Sequence, residues 1–296
     1  MLADRTRLHI ALQKSGRLSD LSRELLRDAG FRIQSSKNSL TARVENFPAE
    51  LMFVRDDDIP TFVSDGVCEF GIVGQNVLEE FALGEGDQRY EVLAELGFGR
   101  CSLKIAAPEA FAYEGPQQLA GARIATSYPR LVARYLAERG IHAEIVKMNG
   151  AVELAPRLQI ANFVCDLVST GATLEANGLR PVATVLDSQA VLIRTRKTLD
   201  DRRSEIAAGL LSRVDGVLAT KESKYIMLNA SGEALEQITA ILPGAEAPTI
   251  VPLHGRPGHF AVHAVCQESV FWETLEKLKG AGASAILVVP IEKMMM

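Results

Sequence analysis

Short apolar runs of strand length alternate with stretches of helical period along almost the whole chain, and this alternation is the tightest constraint on its fold. LHIALQ (8–13) reads as a buried strand; KSGR follows, then an amphipathic helix with Leu18, Leu21, Leu25 and Leu26 on one face, closed by Gly30. The same order returns in a strand at 51–54, the helix start DDDIP, a strand at 70–73 and a helix from about Gln75. Such repetition favours an α/β fold in which helices cover a largely parallel sheet. A second block follows the strand at 103–107, with strands at 123–125, 143–147 and 163–168 and helices at 128–139 and 152–161. Strands near 182–186 and 191–194 are expected to return the chain to the first lobe. Two lobes with a cleft between them result: residues 1–104 with about 181–222, and residues 105–180.

From about Tyr225 the order becomes strand (225–230), helix (233–242), strands (249–253 and 260–265), helix (270–282) and strand (284–291). That βαββαβ order is the ferredoxin-like motif, so 225–296 is expected to form a domain of its own after a polar boundary at 200–204. A length of 296 residues suits two or three domains.

Composition excludes several functions. The net charge of −5 provides no basic field for nucleic acid or an anionic membrane surface, so any anion has to be bound locally. Four cysteines without a CxxC pair read as reduced thiols. The longest apolar stretch, 285–291, falls far short of a membrane span of roughly 20 residues. The first residues lack a signal-peptide pattern, so a cytoplasmic protein is expected.

FVCDLVSTGATLEANG (163–178) carries the most chemistry. An apolar strand ends in Asp166 and opens into Ser169, Thr170, Gly171 and Thr173 at a helix start, where N–H and O–H groups converge on an anion. Asp166 is placed to accept hydrogen bonds from vicinal sugar hydroxyls. Ser, Thr and Asp are also ordinary helix caps, and the segment alone leaves both readings open. LQKSGRL (12–18) puts Lys14 and Arg17 between strand and helix, in a polyphosphate site or a solvated loop. Arg55 ends a strand, where open α/β sheets place their binding residues. Asp56, Asp57 and Asp58 suit either Mg²⁺ or helix capping; ahead of Pro60, capping is favoured for Asp57 and Asp58. His254, His259 and His263 straddle a hairpin and are read without a metal, and Trp272 is read as core.

Residues 153–174, ELAPRLQIANFVCDLVSTGATL, closely resemble the signature of the ATP phosphoribosyltransferase family. LQKSGRL, VRDDDIP (54–60), GIVGQNVLEE (71–80), GRCSL (99–103), RIATSYP (123–129), ESKYIM (222–227), LPGAEAPTIVPL (242–253) and ILVVPIEKM (286–294) extend the resemblance along the chain. One departure stands out: the family pattern has Gly where this chain has Gln159, and altered helix packing is expected there rather than lost activity.

The resemblance implies a type II periplasmic-binding-protein-like pair of lobes followed by an ACT-like regulatory domain. It implies transfer of the phosphoribosyl group from 5-phosphoribosyl 1-pyrophosphate to N1 of ATP, the first step of histidine biosynthesis. Mg²⁺ would be held by substrate phosphates rather than a protein cage. Arg17, Glu153 and Asp166 would be catalytic, and Asp166, Ser169, Thr170, Gly171, Ala172 and Thr173 would bind phosphoribosyl pyrophosphate. Lys14, Gly16, Arg17, Arg55, Gly74, Asn76, Arg100 and Tyr128 would face ATP or pyrophosphate, Tyr128 stacking on the base or simply packing. L-histidine would inhibit through Ser223, Thr249 and Ser284 in a homo-oligomer, a dimer or hexamer. The other reading of two lobes plus an ACT-like domain is a binding protein or sensor without catalysis.

Overall fold

β1 (Leu8–Gln13) is buried except at Gln13, and it pairs in parallel with β4 (Ala49–Val54) and with β5 (Phe70–Gly74). These strands are the centre of a seven-stranded sheet that runs through β2 (Ile33–Gln34), β3 (Thr41–Val44), β4, β1, β5, β12 (Ala190–Thr195) and β6 (Tyr90–Glu95). Three helices follow its parallel strands: α1 (Ser19–Asp28), α2 (Ile59–Ser64) and α3 (Gln75–Ala82). Because β1, β4 and β5 run the same way, the loops after them emerge at one edge, the usual site edge of open α/β sheets. The computed structural model describes all residues except 1–5, 35–38, 85–88, 222, 243–246, 268–270, 293, 295 and 296. Glu222 of ESKYIM, residues 243–246 of LPGAEAPTIVPL, the start of the 270–282 helix and Lys293 of ILVVPIEKM therefore lie outside the described residues.

A five-stranded sheet contains β11 (Leu179–Ser188), β7 (Cys101–Pro108), β10 (Phe163–Val168), β8 (Arg123–Thr126) and β9 (Glu144–Lys147), in that order. β10 and β9 flank β8 in parallel, while β7 and β11 run antiparallel to their neighbours. The helices α4 (Pro129–Ala137) and α5 (Ala172–Ala176) follow β8 and β10. The strand expected at 182–186 to return to the first lobe does not: β11 pairs along β7, with Val182, Val185 and Leu186 packed on the second sheet's core. The chain leaves the first sheet through 96–100 and re-enters it only at Gln189. The two crossings are tied by hydrogen bonds from Leu96 N to Ala190 O (2.9 Å) and from Ala190 N to Phe98 O (3.0 Å).

The helix expected at 152–161 shrinks to a 3-10 turn at Val152–Leu154, followed by irregular turns. Gln159 adopts φ 57°, a left-handed conformation that ends any helix and that glycine enters more easily. The departure from the family pattern is thus a backbone matter rather than one of helix packing.

The chain divides into two compact units, Met1–Glu24 with Phe31–Ile206 and Leu25–Gly30 with Ala207–Met296. α6 (Asp201–Lys221) leads into the second, where β13 (Ser223–Ser231), α7 (Leu235–Ile241), β14 (Thr249–Pro252), β15 (His259–Gln267), α8 (Phe271–Gly280) and β16 (Ser284–Pro290) form the expected βαββαβ arrangement, with strand order β14-β15-β13-β16. One face of this sheet packs Ile226, Leu228, Val262 and Ala264 against Ile238 and Leu278 of the helices. Trp272, expected in the core, is 76% exposed. The buried stripe of α8 runs through Thr274 and Leu278, and Trp272 lies off it.

Candidate active site

The loop after β1 is shaped by its own polar groups. Gln13 Oε1 accepts a hydrogen bond from Leu18 N (3.0 Å), and the Ser19 hydroxyl donates to Lys14 O (3.1 Å). This leaves Lys14 and Gly16 exposed and turns Arg17 inward. Its guanidinium lies beside Gly74 and Gly99, and Nη1 is buried with no hydrogen-bond partner among the described residues. A buried guanidinium nitrogen without an acceptor is costly, and an anion would relieve that cost. Cys101 lines the same place; burial pushes its thiol pKa up, and the neighbouring Arg17 charge pulls against that.

After β4, Asp58 stands at the N-cap of α2 with Pro60 in the first turn, as the capping reading requires. Its side chain makes no cap hydrogen bond, however, and Asp56–Asp58 wind a 3-10 turn instead. Arg55 borders a cavity of about 500 Å³ together with Phe81, Ser127, Tyr128, Arg130 and Lys147. Lys147 and Arg130 were not anticipated, although both directly follow or end a parallel strand of the second sheet or open its helix, where binding residues concentrate.

After β5, Asn76 is 1% exposed and its side chain is hydrogen-bonded through both ends of its amide. Its Nδ2 donates to the Tyr128 hydroxyl (2.9 Å), its Oδ1 accepts from the Ser188 hydroxyl (2.8 Å), and its backbone N–H donates to Ser188 Oγ (3.0 Å). Asn76 therefore links the first sheet to the second instead of presenting an open side chain to a nucleotide. Tyr128 packs against the cores of both sheets, and its phenol is pushed up by burial, then by the charge of Asp56, with Asp166 and Asp57 adding to the effect. The acids after β4 and the one within β10 thus act on the same phenol electrostatically.

On the second sheet, Asp166 is half-buried, and its Oδ1 accepts a hydrogen bond from Leu167 N (2.8 Å). Burial raises its carboxyl pKa, and Glu153 adds like charge. The two expected acids, on separate segments, are thus close enough to repel. Beyond Asp166, Ser169, Thr170, Ala172 and Thr173 are exposed, and Gly171 has φ 87°, a conformation that favours glycine. α5 has only five residues, so the helix dipole contributes less here than the sequence suggested, and backbone N–H and hydroxyl groups must carry any anion. Arg100 and Ser169 border a second cavity of about 440 Å³, with Gln75, Lys104 and Asp187.

The residues expected to hold histidine do not converge within one chain. The Ser223 hydroxyl donates to Ala219 O (2.8 Å), while Thr249 and Ser284 stand on β14 and β16, opposite edges of the four-stranded sheet. Three strand spacings separate those edges, about 14 Å. His263 Nδ1 lies 3.0 Å from the Tyr225 hydroxyl.

The sequence matches the family model described as ATP phosphoribosyltransferase over residues 55–216 and the model described as the HisG C-terminal domain over residues 220–293. Lys14, Gly16 and Arg17 precede the first matched span. Among solved structures, the chain is similar to the ATP phosphoribosyl transferase (HisG:HisZ) complex from Thermotoga maritima. The identity is 23% and the TM-score 0.58, over 70% of this chain and 98% of that one. Likeness to the alkanesulfonate-binding protein SsuA from Xanthomonas axonopodis pv. citri, bound to MOPS, is lower: 16% identity and TM-score 0.46, over 72% of this chain and 74% of that one.

Proposed function

Because the chain belongs to the ATP phosphoribosyltransferase family, and so is a pentosyltransferase of histidine biosynthesis, we propose that its two substrates meet in the cleft lined by the ends of β1, β4, β5, β8 and β10. The inward-turned Arg17, whose buried Nη1 has no hydrogen-bond partner among the described residues beside Gly74 and Gly99, supports this placement. Adenine N1 of ATP attacks C1 of the phosphoribosyl group. The N1–C1 bond forms, the C1–O bond to pyrophosphate breaks, and its electron pair leaves with pyrophosphate. Positive charge grows on the ribose as the bond to pyrophosphate lengthens, and two carboxylates beside the ring oppose it. Asp166 also accepts hydrogen bonds from the ribose hydroxyls, and the loop at 169–173 holds the 5-phosphate.

Arg17, with Lys14 beside it, meets the charge that develops on pyrophosphate. The orphaned Nη1 is the donor this role needs. Arg55 and Tyr128 border the 500 Å³ cavity and Arg100 the 440 Å³ one, the spaces left for ATP and its pyrophosphate-bearing partner; Asn76 acts from behind by holding the Tyr128 hydroxyl, with Gly74 beside Arg17. Among the described residues no three His, Cys, Asp or Glu side chains converge as a metal cage. Mg²⁺ would be held by the substrate phosphates, whose charge it would neutralise.

The β1–β6 and β12 sheet with its helices is read as one catalytic lobe, the β7–β11 sheet as the other, and residues 225–296 as the regulatory domain. Histidine inhibition requires a ligand that favours a less active state. Since Thr249 and Ser284 lie on opposite edges, a histidine touching both would have to bind between copies of the chain, which makes the inhibitor site depend on a homo-oligomer. No described helix is long and apolar enough to cross a membrane, and a cytoplasmic setting fits free ATP as substrate. Purified protein mixed with ATP, phosphoribosyl pyrophosphate and Mg²⁺ should form phosphoribosyl-ATP, and calorimetry should detect histidine binding. Absence of the product refutes the catalytic reading, and absence of histidine binding refutes the regulatory one.

A further inference from the structure

Two helix ends meet across the cleft in a reciprocal arrangement. Glu80, in the last turn of α3, accepts hydrogen bonds from Arg130 N (3.0 Å) and Leu131 N (2.9 Å), the free donors in the first turn of α4. In return, Arg130 Nη1 donates to Glu80 O (3.3 Å) at the carboxyl end of α3. A carboxylate thus sits at one helix N-terminus and a guanidinium at the other helix C-terminus, the favourable sign at both ends. The guanidinium reaches that position because residue 84 is glycine: a Cβ there would lie 2.1 Å from Arg130 Cζ. Arg134 Nη2 adds an ion pair to Glu79 Oε2 at 2.7 Å, half-exposed on both sides and so the weaker contribution.

Asn76 and Glu80 are four residues apart and share a face of α3. One holds the Tyr128 hydroxyl, and the other holds the backbone immediately after Tyr128 and Pro129. α3 belongs to the first sheet and α4 to the second, so this grip bridges the cleft on the side of the 500 Å³ cavity, which Glu80, Tyr128 and Arg130 all line. We propose that Glu80 is a positioning residue. Acting through the first turn of α4, it fixes Tyr128 and the width of the cleft in which the transfer takes place. The inference rests on the placement of both substrates in that cleft.

The test uses the full-length enzyme. Spin labels on cysteines introduced at the exposed positions Thr61 and Glu138, one beside each sheet, report the spacing of the two sheets by pulsed dipolar spectroscopy; the four native cysteines are buried. Labelled chains are diluted with unlabelled protein so that pairs within one chain dominate. Glu80→Ala should broaden the distances and shift them outward, and lower kcat/KM by about 10- to 100-fold, the scale of a small misplacement of reacting groups. Glu80→Gln keeps one of the two acceptors and sets an NH2 donor against the other backbone N–H, so it should fall between Glu80→Ala and wild type in both distance distribution and activity. Should Glu80→Ala fold poorly, Gly84→Ala displaces only the Arg130 arm and should shift distances and kinetics the same way by less. Distances in Glu80→Ala that coincide with wild type overturn the proposal, as does a widened cleft with unchanged kcat/KM. A wild-type enzyme that forms no phosphoribosyl-ATP points instead to a failure of the catalytic placement.

Discussion

The two sides of the cleft solve the same problem in opposite ways. On the first-sheet side, polar side chains are already committed: Gln13 caps its own loop, Asn76 is held at both ends of its amide by Tyr128 and Ser188, and Arg17 Nη1 is buried without a partner among the described residues. On the second-sheet side, the hydroxyls of Ser169, Thr170 and Thr173 face solvent around a left-handed glycine. A preorganised group changes little on binding and can be aimed at charge that exists only in the transition state. An open loop pays its ordering cost when the ligand arrives, so it acts chiefly on affinity.

Arg17→Ala is the sharpest way to break that contrast, because it removes a buried donor that has no partner among the described residues. We expect kcat to fall on the order of 10²-fold or more with a smaller change in KM. A rise in KM alone would place Arg17 with the uniform binding groups and erase the distinction. On the other side, Gly171→Val forces a β-branched residue into φ 87° and disrupts the loop. Losing one or more charged hydrogen bonds of about 1.5–3 kcal/mol should raise the KM for phosphoribosyl pyrophosphate by roughly 10- to 100-fold, with kcat less affected. A folded variant with normal affinity for that substrate would remove the loop from the site.

The acid pair gives a smaller effect with a definite sign. Asp166 has a folded pKa above its usual 3.8, mainly through burial and further through Glu153. An acid with a raised folded pKa is harder to ionise in the fold than in the unfolded chain. Its carboxylate therefore costs stability above the folded pKa, and that cost disappears as pH falls towards the unfolded value. Activity runs the other way, since the carboxylate is the working form. The acid limb of the kcat/KM profile should lie above the usual aspartate range, and Glu153→Gln should move it to lower pH by removing the like charge. A limb that stays fixed or moves upward contradicts the pairing.

The smallest expected change is in Gln159→Gly, which relieves a left-handed non-glycine residue away from the cleft. It should alter stability by at most about 1 kcal/mol, measured by denaturant titration, and leave kinetics unchanged. A clear change in kcat would tie this turn to the Glu153 segment before it.

The parts of the molecule set by local pattern were legible in the sequence. Unalternating runs such as LHIALQ and FGIVG are buried strands, the C-terminal order is βαββαβ, and the chemistry-bearing residues fall at the ends of β1, β4, β5, β8 and β10. Features that depend on distant partners were not. Nothing local tells β11 which sheet to join, because an antiparallel strand of that composition suits either. Glu80 finds its partners 50 and 51 residues away, so its capping role leaves no short-range signature. Asn76, expected at a strand end facing the nucleotide, has its side chain held by Ser188, 112 residues on. Trp272 shows that one apolar residue on an amphipathic helix does not reveal its own angle to the buried stripe, and Gln159 that apolar spacing is blind to a single left-handed backbone position.

The paired crossings at 96–100 and 189 have a mechanical consequence. Two segments joined by hydrogen bonds resist sliding past one another more than flexing across their plane, so the pair at this crossing favours rotation of the sheets over translation. Where opening is mainly rotation, a contact bridging the cleft away from the crossing acts with a lever arm. The junction of α3 and α4 then needs no great strength to govern the separation between the phosphate loop and Arg17. Substitutions within the ribbon itself should alter the stiffness of opening without altering the closed geometry.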